Sequence, residues 1–377
     1  MSQYEGEAGP ALGNGVVPPL PSAAPPAGFA MPQPAPATRN TKPPPWTTWG
    51  YGTQGVHAIS VWTERVPGRG EDAEPLVAFH LRTRKGLIGV FDGSGGSGSS
   101  PAWQAPDGTQ RTGAWVGSRV ARLAMDCWFQ ATTETGDPAD PDYLKNHLDF
   151  FHEQVPQRRS KIAGRMRRQL PTTLAAVEYH LTPDLVVEGR ALWAGDSRAY
   201  LLDPESGLQV LTRDHTEESD ALELLRSDPP MTNVVCADRD FFVDEHPFEF
   251  ALPCVLMAAT DGFFGYVHTP ADFENTLLST LRRAGSEAEW ADLIRAEVES
   301  YTADDASLCL VALGYKDFEH LRSRFGARQE FIADFCRKGR PTGADPAHTV
   351  RTWQDATWHD YRPGYEAYLP APGEEQA

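Results

Sequence analysis

Short apolar runs with β-branched and aromatic residues recur along the chain from residue 57 onward. The runs 57–62, 76–81 and 87–91 are separated by turn residues such as Pro67-Gly68, a pattern typical of strands. Runs of the same kind follow at 173–177, 191–194, 199–202, 209–211, 254–259 and 307–313. The pattern therefore predicts many short strands, the first of which form an antiparallel group.

Apolar residues at helical spacing interrupt these strands twice. Helices are predicted around 116–127 and 144–155, and again around 273–281 and 290–298. The order of strands, helices, strands, helices and a closing strand predicts an α+β fold. Two mainly antiparallel sheets would pack face to face with helices outside, giving a four-layer α-β-β-α sandwich.

The two ends of the chain differ from this core. Residues 1–46 are rich in Pro and Ala and lack periodicity, so they are predicted to form a disordered tail. A single domain is predicted over 47–315. Residues 316–377 are predicted to add a helix and an aromatic-rich extension that either packs on the domain or binds a protein partner. The aromatic residues of this extension are Trp353, Trp358, Tyr361, Tyr365 and Tyr368.

Composition and charge narrow the function classes. A hydrophobic share of 40% allows a full core, and a net charge of -18 argues against nucleic acid and anionic membranes as partners. The five cysteines are far apart in sequence, which favours reduced thiols over a disulfide framework or zinc site. With no signal-peptide pattern and no run approaching the length of a membrane span, we expect a cytoplasmic protein.

Acidic residues occupy the ends of several predicted strands. The run 87–91 ends in Asp92-Gly93 and a Gly/Ser stretch, and the run 254–259 is followed by Asp261-Gly262. Alone, either pattern also fits a turn or a flexible linker. Glu71-Asp72 and Asp304 directly precede other strands, and carboxylates clustered in this way repel one another unless cations lie between them. Oxygen-only ligands favour Mg²⁺ or Mn²⁺, which in pairs support hydrolysis.

Five sequence motifs resemble those of one enzyme family. Residues 90–96, VFDGSGG, resemble the VFDGxGG signature of the metal-dependent Ser/Thr protein phosphatases, the PPM or 2C type. The other matches are GDSRAY at 195–200, LTRDHT at 211–216, ATDG at 259–262 and DDAS at 304–307. Each motif is weak alone, but their shared order over about residues 50–314 is specific.

The resemblance implies hydrolysis of phosphoserine and phosphothreonine in a phosphorylated protein substrate. The attacking group would be a hydroxide held by two Mg²⁺ or Mn²⁺ ions, without a phosphoenzyme. Asp92 would bridge both ions, Asp261 and Asp304 would complete one of them, and these residues are the implied catalytic set. The implied metal ligands are Glu71, Asp72 (outer shell), Asp92, Gly93 (through its carbonyl), Asp196 (a third, weaker ion), Asp261 and Asp304.

Some positions depart from the family pattern. The family's phosphate-binding Arg would fall at Pro67, which leaves Arg65 and Arg69 as the candidates. A second alignment places His57 at the Arg position and Val61-Trp62 at the acidic positions.

Three further assignments stay open. Ser94 replaces a His that acts as general acid in some members. Asp196 fits a hairpin turn between two strands as well as a metal ligand. The alternative function is a weakly active or inactive phosphatase-fold module that binds a phosphoprotein or a signalling partner.

Overall fold

The structure, a computed structural model, describes residues 46–53, 55–136, 139–156, 168–227, 229–342 and 345–369. The predicted tail over 1–46 lies outside the described residues, apart from Trp46. Within the described ranges, no helix has both the length and the apolar character needed to cross a membrane. The cysteines are free thiols, as predicted.

Strands and helices follow one another in the order that the sequence pattern predicts, with additions. The strands are β1 (Trp46–Thr53), β2 (Val56–Thr63), β3 (Leu76–His80), β4 (Lys85–Val90), β5 (Pro101–Gln104), β6 (Gln110–Thr112), β7 (Leu174–Leu181), β8 (Val186–Ala194), β9 (Arg198–Asp203), β10 (Gly207–Val210), β11 (Asp244–Ala251), β12 (Cys254–Ala259) and β13 (Ala306–Leu313). The helices are α1 (Gly95–Gly98), α2 (Gly113–Gln130), α3 (Pro141–Gln154), α4 (Ala221–Arg226), α5 (Asp261–Phe264), α6 (Pro270–Arg283), α7 (Glu287–Val298), α8 (Phe318–Arg324), α9 (Gly326–Arg337) and α10 (Ala347–Tyr365).

Two large sheets form the centre of the fold. The first has the strand order β1-β2-β13-β12-β9-β10 and the second has the order β11-β8-β7-β4-β3, while β5 and β6 form a separate hairpin. Neighbouring strands in both large sheets are antiparallel. The last strand, β13, inserts between β2 and β12, so the sheet joins the start of the domain to its end.

Three apolar clusters separate the layers. Val90 and Val177 of the second sheet meet Leu256 of the first sheet in the core between the sheets. On the outer face of the second sheet, α2 and α3 bury Trp128 and Leu144. A third set, which includes Leu277, Trp290 and Ile294, packs α6 and α7 on the outer face of the first sheet. The predicted four-layer α-β-β-α sandwich is confirmed.

Helix caps explain several of the helix starts. Thr112 accepts a hydrogen bond from the Trp115 N–H at the start of α2, and Asp140 accepts one from Tyr143 at the start of α3. Helix α6 begins with a capping box in which Thr269 and Asp272 bond to each other's backbone.

The hairpin interpretation of residues 195–198 is wrong. Strand β8 belongs to the second sheet and β9 to the first, so this short link carries the chain from one sheet to the other. Gly195 makes the link possible, because its φ of +106° lies in the left-handed region that favours glycine. The Gly/Ser stretch that also fits a flexible linker contains structure, since α1 lies in it.

The aromatic extension packs on the first sheet. Trp358, Tyr361 and Tyr365 of α10 belong to the same apolar cluster as α6 and α7. Tyr361 Oη donates to Glu274 Oε2 at 2.6 Å, deep in the core. Tyr368, which is 41% exposed, instead lies edge-on to Phe250 of β11, with the ring centres 5.0 Å apart.

Candidate metal centre

The register of the second sheet brings Asp92 and Asp196 to one end of the sandwich. Strands β4 and β8 both end beside the start of β7, which lies between them. Asp92 follows β4 and Asp196 follows β8. The loop around Asp92 is fixed, because its carbonyl accepts hydrogen bonds from Thr173 N (2.8 Å) and Thr172 Oγ1 (2.7 Å).

The first sheet supplies Asp261 and Asp304 to the same end. Strand β12 ends where β13 begins, because Ala259 pairs with Leu308. Asp261 opens α5 directly after β12, and Asp304 lies just before β13. Asp261 is one of the charges that raise the pKa of Asp92, so the ends of the two sheets meet here.

Asp72 joins the two sheets at this point. Its Oδ2 accepts hydrogen bonds from Ser307 Oγ (2.9 Å) and Thr260 Oγ1 (3.1 Å), which belong to the β12–β13 end of the first sheet. Its carboxyl also lies close enough to that of Asp92 for its charge to raise the pKa of Asp92. The side chain is 2% exposed, and the Trp62 indole donates to its carbonyl at 3.1 Å.

Glu71 is held from its backbone and from its carboxylate. Its N–H donates to Asp305 Oδ2 at 2.7 Å, and Asp305 Oδ1 accepts from the Arg65 N–H at 2.9 Å. Thr112 Oγ1 donates to the Glu71 carboxylate. Asp305 therefore ties the segment that carries Glu71 to the turn that carries Asp304.

The second alignment does not bring acidic groups to this site. Val61 is fully buried in the apolar cluster under α6 and α7. His57 lies between Glu287 Oε1 (2.7 Å from Nδ1) and the Tyr315 carbonyl (3.1 Å from Nε2). The structure places Glu71 and Asp72, and not Val61-Trp62, beside Asp92.

Burial and mutual repulsion make the carboxyls weak acids. Burial, followed by the charge of Asp305, raises the pKa of Asp72 to about 7. Burial raises the pKa of Asp92 well above its ordinary value, and the neighbouring Asp72, Asp261 and Asp196 add to the shift. The cluster thus resists carrying its full negative charge.

Asp196 has an unsatisfied buried oxygen. Its Oδ1 is enclosed and has no hydrogen-bond partner among the described residues. Burial raises its pKa well above the ordinary value, and the charges of Asp261 and Asp214 raise it further. Because an unpaired buried oxygen is costly, this atom is a natural ligand for a cation.

The histidine next to this site is structural. His215 Nδ1 accepts from the Gly195 N–H at 3.0 Å, and the His215 N–H donates to the Gly195 carbonyl at 2.9 Å. Its Nε2 lies 2.9 Å from Asp244 Oδ2. With both ring nitrogens occupied, His215 fixes the link that carries Asp196.

Two nearby arginines each act on one carboxylate of the cluster, since the charge of Arg119 opposes the rise in the pKa of Glu71 and that of Arg65 opposes the rise in the pKa of Asp304. Arg119 directs its guanidinium to the backbone carbonyls of Glu71 (2.9 Å) and Asp72 (2.8 Å). Arg65 and Arg69 are both exposed, and of these two it is Arg65 whose charge acts on Asp304. No sequence motif marks Arg119, whereas Thr260 and Ser307 stand inside the ATDG and DDAS motifs.

Two glycines let the acidic segments approach one another. A Cβ on Gly93 would lie 2.6 Å from the Glu71 carbonyl oxygen, and one on Gly262 would lie 1.9 Å from the Asp305 carbonyl oxygen. The absence of a side chain at each glycine therefore allows the backbone of one acidic segment to contact the backbone of the next.

We expect Gly262→Ala to destabilise the protein by about 1–3 kcal/mol, because the contacting atom is backbone and must move. Urea unfolding measures the change. Gly96→Ala is the matched control, since a Cβ there meets nothing within 4 Å. Equal stabilities for the two variants would contradict the close approach.

A pocket of about 330 Å³ opens beside the carboxylates. Asp196, Asp261 and Asp304 line it together with residues of α4 and of the segment after α4. Its lining residues are Asp196, Arg198, Asp214, Thr216, Leu224, Leu225, Arg226, Ser227, Pro229, Asp261, Phe264, Gly265, Tyr266 and Asp304.

The carboxylate oxygens of this site are the kind of ligand that hard divalent cations prefer, but the side chains are not yet at the distances of a complete metal site. The carboxylates repel one another, and Asp196 Oδ1 lacks a partner. Across the part of the chain that the structure describes, no three His, Cys, Asp or Glu side chains are spaced as a complete metal site. The Asp72 and Asp92 carboxyls lie close together, and the charge of Asp72 raises the pKa of Asp92.

Comparison with solved structures finds proteins of similar fold. No protein-family model and no curated protein sequence matches the chain. The solved structure of a C. elegans sex determining protein aligns with 73% of this chain and 68% of that chain, with a TM-score of 0.52 and 16% identity. That likeness is one of fold alone.

Two phosphatase structures align at lower TM-scores. The Mycobacterium tuberculosis serine/threonine phosphatase PstP/Ppp aligns over 69% of this chain and 100% of its own, with 15% identity and a TM-score of 0.47. A bacterial serine phosphatase aligns over 68% and 97%, with 19% identity and a TM-score of 0.49.

Proposed function

We propose that this chain is a metal-dependent protein phosphatase of the PPM type that hydrolyses phosphoserine and phosphothreonine. The observation that carries the proposal is the convergence of Asp92, Asp196 and Asp261 where the two sheets meet, with burial and the acidic neighbours raising the pKa values of Asp92 and Asp196. A protein keeps such mutually repelling groups together at a stability cost when function requires them.

The residues have distinct proposed roles. Asp92, Asp261 and Asp304 would hold two Mg²⁺ or Mn²⁺ ions together with Glu71 and the Gly93 carbonyl. Asp196 and Asp261 would bind a further ion, and Asp72 would lie in the outer shell of the metal site. When bound, the ions would lower the pKa of a water and offset the charge of the phosphoryl group.

Two side chains bear on the phosphate ester itself. We propose Arg65, whose charge already acts on Asp304, as the phosphate-binding arginine. Ser94 Oγ lies 3.3 Å from Ser97 Oγ and is too weak an acid to protonate the departing alkoxide at neutral pH, so solvent water would supply that proton. We assign the catalytic part to residues 47–315, in a cytoplasmic protein.

Dependence on divalent cations is the direct test. Purified protein should release phosphate from a phosphothreonine peptide with Mn²⁺ or Mg²⁺ present, lose this activity in excess chelator, and regain it when excess Mn²⁺ is added back. The chelated protein should also unfold at a lower temperature, because ligands that bind only the folded state stabilise it. Phosphate release that persists in chelator would overturn the metal mechanism.

A second function is favoured by one observation. Pro67 occupies the position of the family's phosphate-binding Arg, and a site that lacks it could bind a phosphoprotein without turnover. A metal-loaded protein that binds the phosphopeptide but releases no phosphate would support this binding module.

A further inference from the structure

Helix α4 forms part of the wall of the pocket beside the carboxylates. Leu224, Leu225 and Arg226 of this helix line the same pocket as Asp196 and Asp261. The helix has 6 residues, and helices this short are not stable by themselves. Its position must therefore be fixed by contacts with the rest of the protein.

Helix α10 holds the N-terminal end of α4. Asp220 is the N-cap of α4, and its Oδ1 accepts from the N–H groups of Leu222 (2.9 Å) and Glu223 (3.1 Å). Its Oδ2 accepts from two residues of α10, Trp358 Nε1 at 3.1 Å and Arg362 Nη1 at 2.6 Å. The cap and the contact with α10 thus use the two oxygens of one carboxylate.

Helix α10 also holds the other end of α4. Arg226, the last residue of α4, donates from Nη2 to Asp355 Oδ1 at 2.6 Å and to Gln354 Oε1 at 3.3 Å. Both ends of the pocket wall are therefore bound to residues of the C-terminal extension.

The core anchors α10 independently of α4. Tyr361 Oη donates to the fully buried Glu274, and the Gln354 amide donates to the His268 carbonyl at 2.8 Å. Tyr365 Oη accepts from Arg198 Nη1 at 3.3 Å, and Arg198 also lines the pocket. These contacts give α10 a fixed place from which to position α4.

We propose that α10 is a positioning element for substrate recognition, with Asp355, Trp358 and Arg362 as its positioning residues. This rests on the proposed phosphatase function. A phosphopeptide bound at the carboxylates would lie against α4, and the apolar Leu224, Leu225 and neighbouring Pro229 suit a peptide with an apolar side chain beside its phosphorylated residue. A small aryl phosphate would reach the carboxylates without touching this wall.

The test compares two substrates in the full chain. The variant Asp355→Asn/Arg362→Gln removes the two partly exposed ion pairs that link α10 to α4, and also the Arg362–Glu366 pair within the C-terminal extension. It should raise KM for a phosphothreonine peptide with a neighbouring Leu about fivefold, while KM and kcat for p-nitrophenyl phosphate stay within about twofold. The control, Arg283→Gln/Glu297→Gln, removes an exposed ion pair between α6 and α7 and neutralises the same charges. This control variant should leave KM and kcat for both substrates unchanged.

Other outcomes separate the possible failures. A variant that affects both substrates equally, or neither, overturns the role of α10. If the double variant does not fold, Trp358→Phe tests the same point, because it removes one hydrogen bond to Asp220 and keeps the ring. If the wild type turns over neither substrate, the phosphatase proposal fails. The role of α10 is then tested by measuring the affinity of the metal-loaded protein for a labelled phosphopeptide by fluorescence anisotropy. An unchanged peptide affinity in the double variant overturns that role.

Discussion

Asp92→Asn is expected to lower phosphopeptide hydrolysis by about 10²–10³-fold, the scale of losing one central electrostatic group in an active site. Asp92 is the carboxylate on which the charges of Asp72, Asp261 and Asp196 all act, so it is the one best placed to share cations between neighbours. An amide has nearly the same shape but carries no charge for a cation. Steady-state phosphate release at saturating Mn²⁺ measures the loss.

The same substitution should stabilise the metal-free protein. At pH 7 the unfolded chain carries Asp92 as a carboxylate, whereas in the folded protein burial and three acidic neighbours oppose that charge. Asn removes the repulsion, and its amide can still donate to the Asp72 carboxylate. Urea unfolding in chelator should show a gain of about 1 kcal/mol, typical of substitutions that relieve a strained site.

The pH dependence of stability provides an independent check. Because the pKa of Asp72 is about 7 in the folded protein and near 3.8 as its ordinary value, the folded state binds more protons than the unfolded state between these limits. The acidic cluster should therefore lower the free energy of unfolding of the metal-free wild type as pH rises from 4 to 7. In Asp92→Asn the free energy of unfolding should depend less steeply on pH.

Asp360→Asn is the control for both measurements, since Asp360 is exposed on α10 and remote in sequence from the acidic motifs. It should change neither activity nor stability. If Asp92→Asn keeps more than a tenth of the activity, Asp92 is not central to the reaction. If activity falls together with a clear loss of stability, the residue is structural.

Local patterns were enough to predict that Asp92 and Asp261 stand at the ends of strands. Asp92 and Asp261 each follow an apolar run that ends abruptly, and both runs are strands that end at the site. Strand β11 was missed because half of its sequence, DEHPFEFA, is charged or polar and because it contains Pro247, which suits the edge position it occupies. Strand β1, with its Trp, Thr and Gly residues, gave no alternating pattern to identify.

Long-range pairing could not be predicted. The turn chemistry of Gly195-Asp196 suggested a hairpin, but whether two strands share a sheet depends on partners far away in sequence. Arg198 illustrates this, because it contacts Asp214 and also Tyr365, 167 residues later in the chain. The attachment of α4 to α10 likewise joins segments more than a hundred residues apart.

Arg198→Met is expected to destabilise the protein by about 3–5 kcal/mol, the cost of leaving one partner of a buried ion pair without the other. Arg198 is 4% exposed, and its Nε and Nη2 donate to the two oxygens of Asp214 at 2.8 Å each. Its guanidinium also stacks 4.3 Å from the centre of the Phe264 ring. Methionine would replace the volume but leave the Asp214 carboxylate buried and unpaired.

Two further variants separate charge from geometry. Arg198→Lys keeps the charge but cannot form the two parallel hydrogen bonds, so urea unfolding should give it an intermediate stability. Arg198→Met/Asp214→Leu removes both charges and should recover much of the loss, because apolar replacements of a buried pair are often tolerated. If the double variant is as unstable as Arg198→Met, loss of the ion pair is not the cause of the destabilisation.

Because Phe264 lies in the helix that Asp261 opens, Arg198→Met should also lower phosphatase activity by more than the fraction of unfolded protein explains.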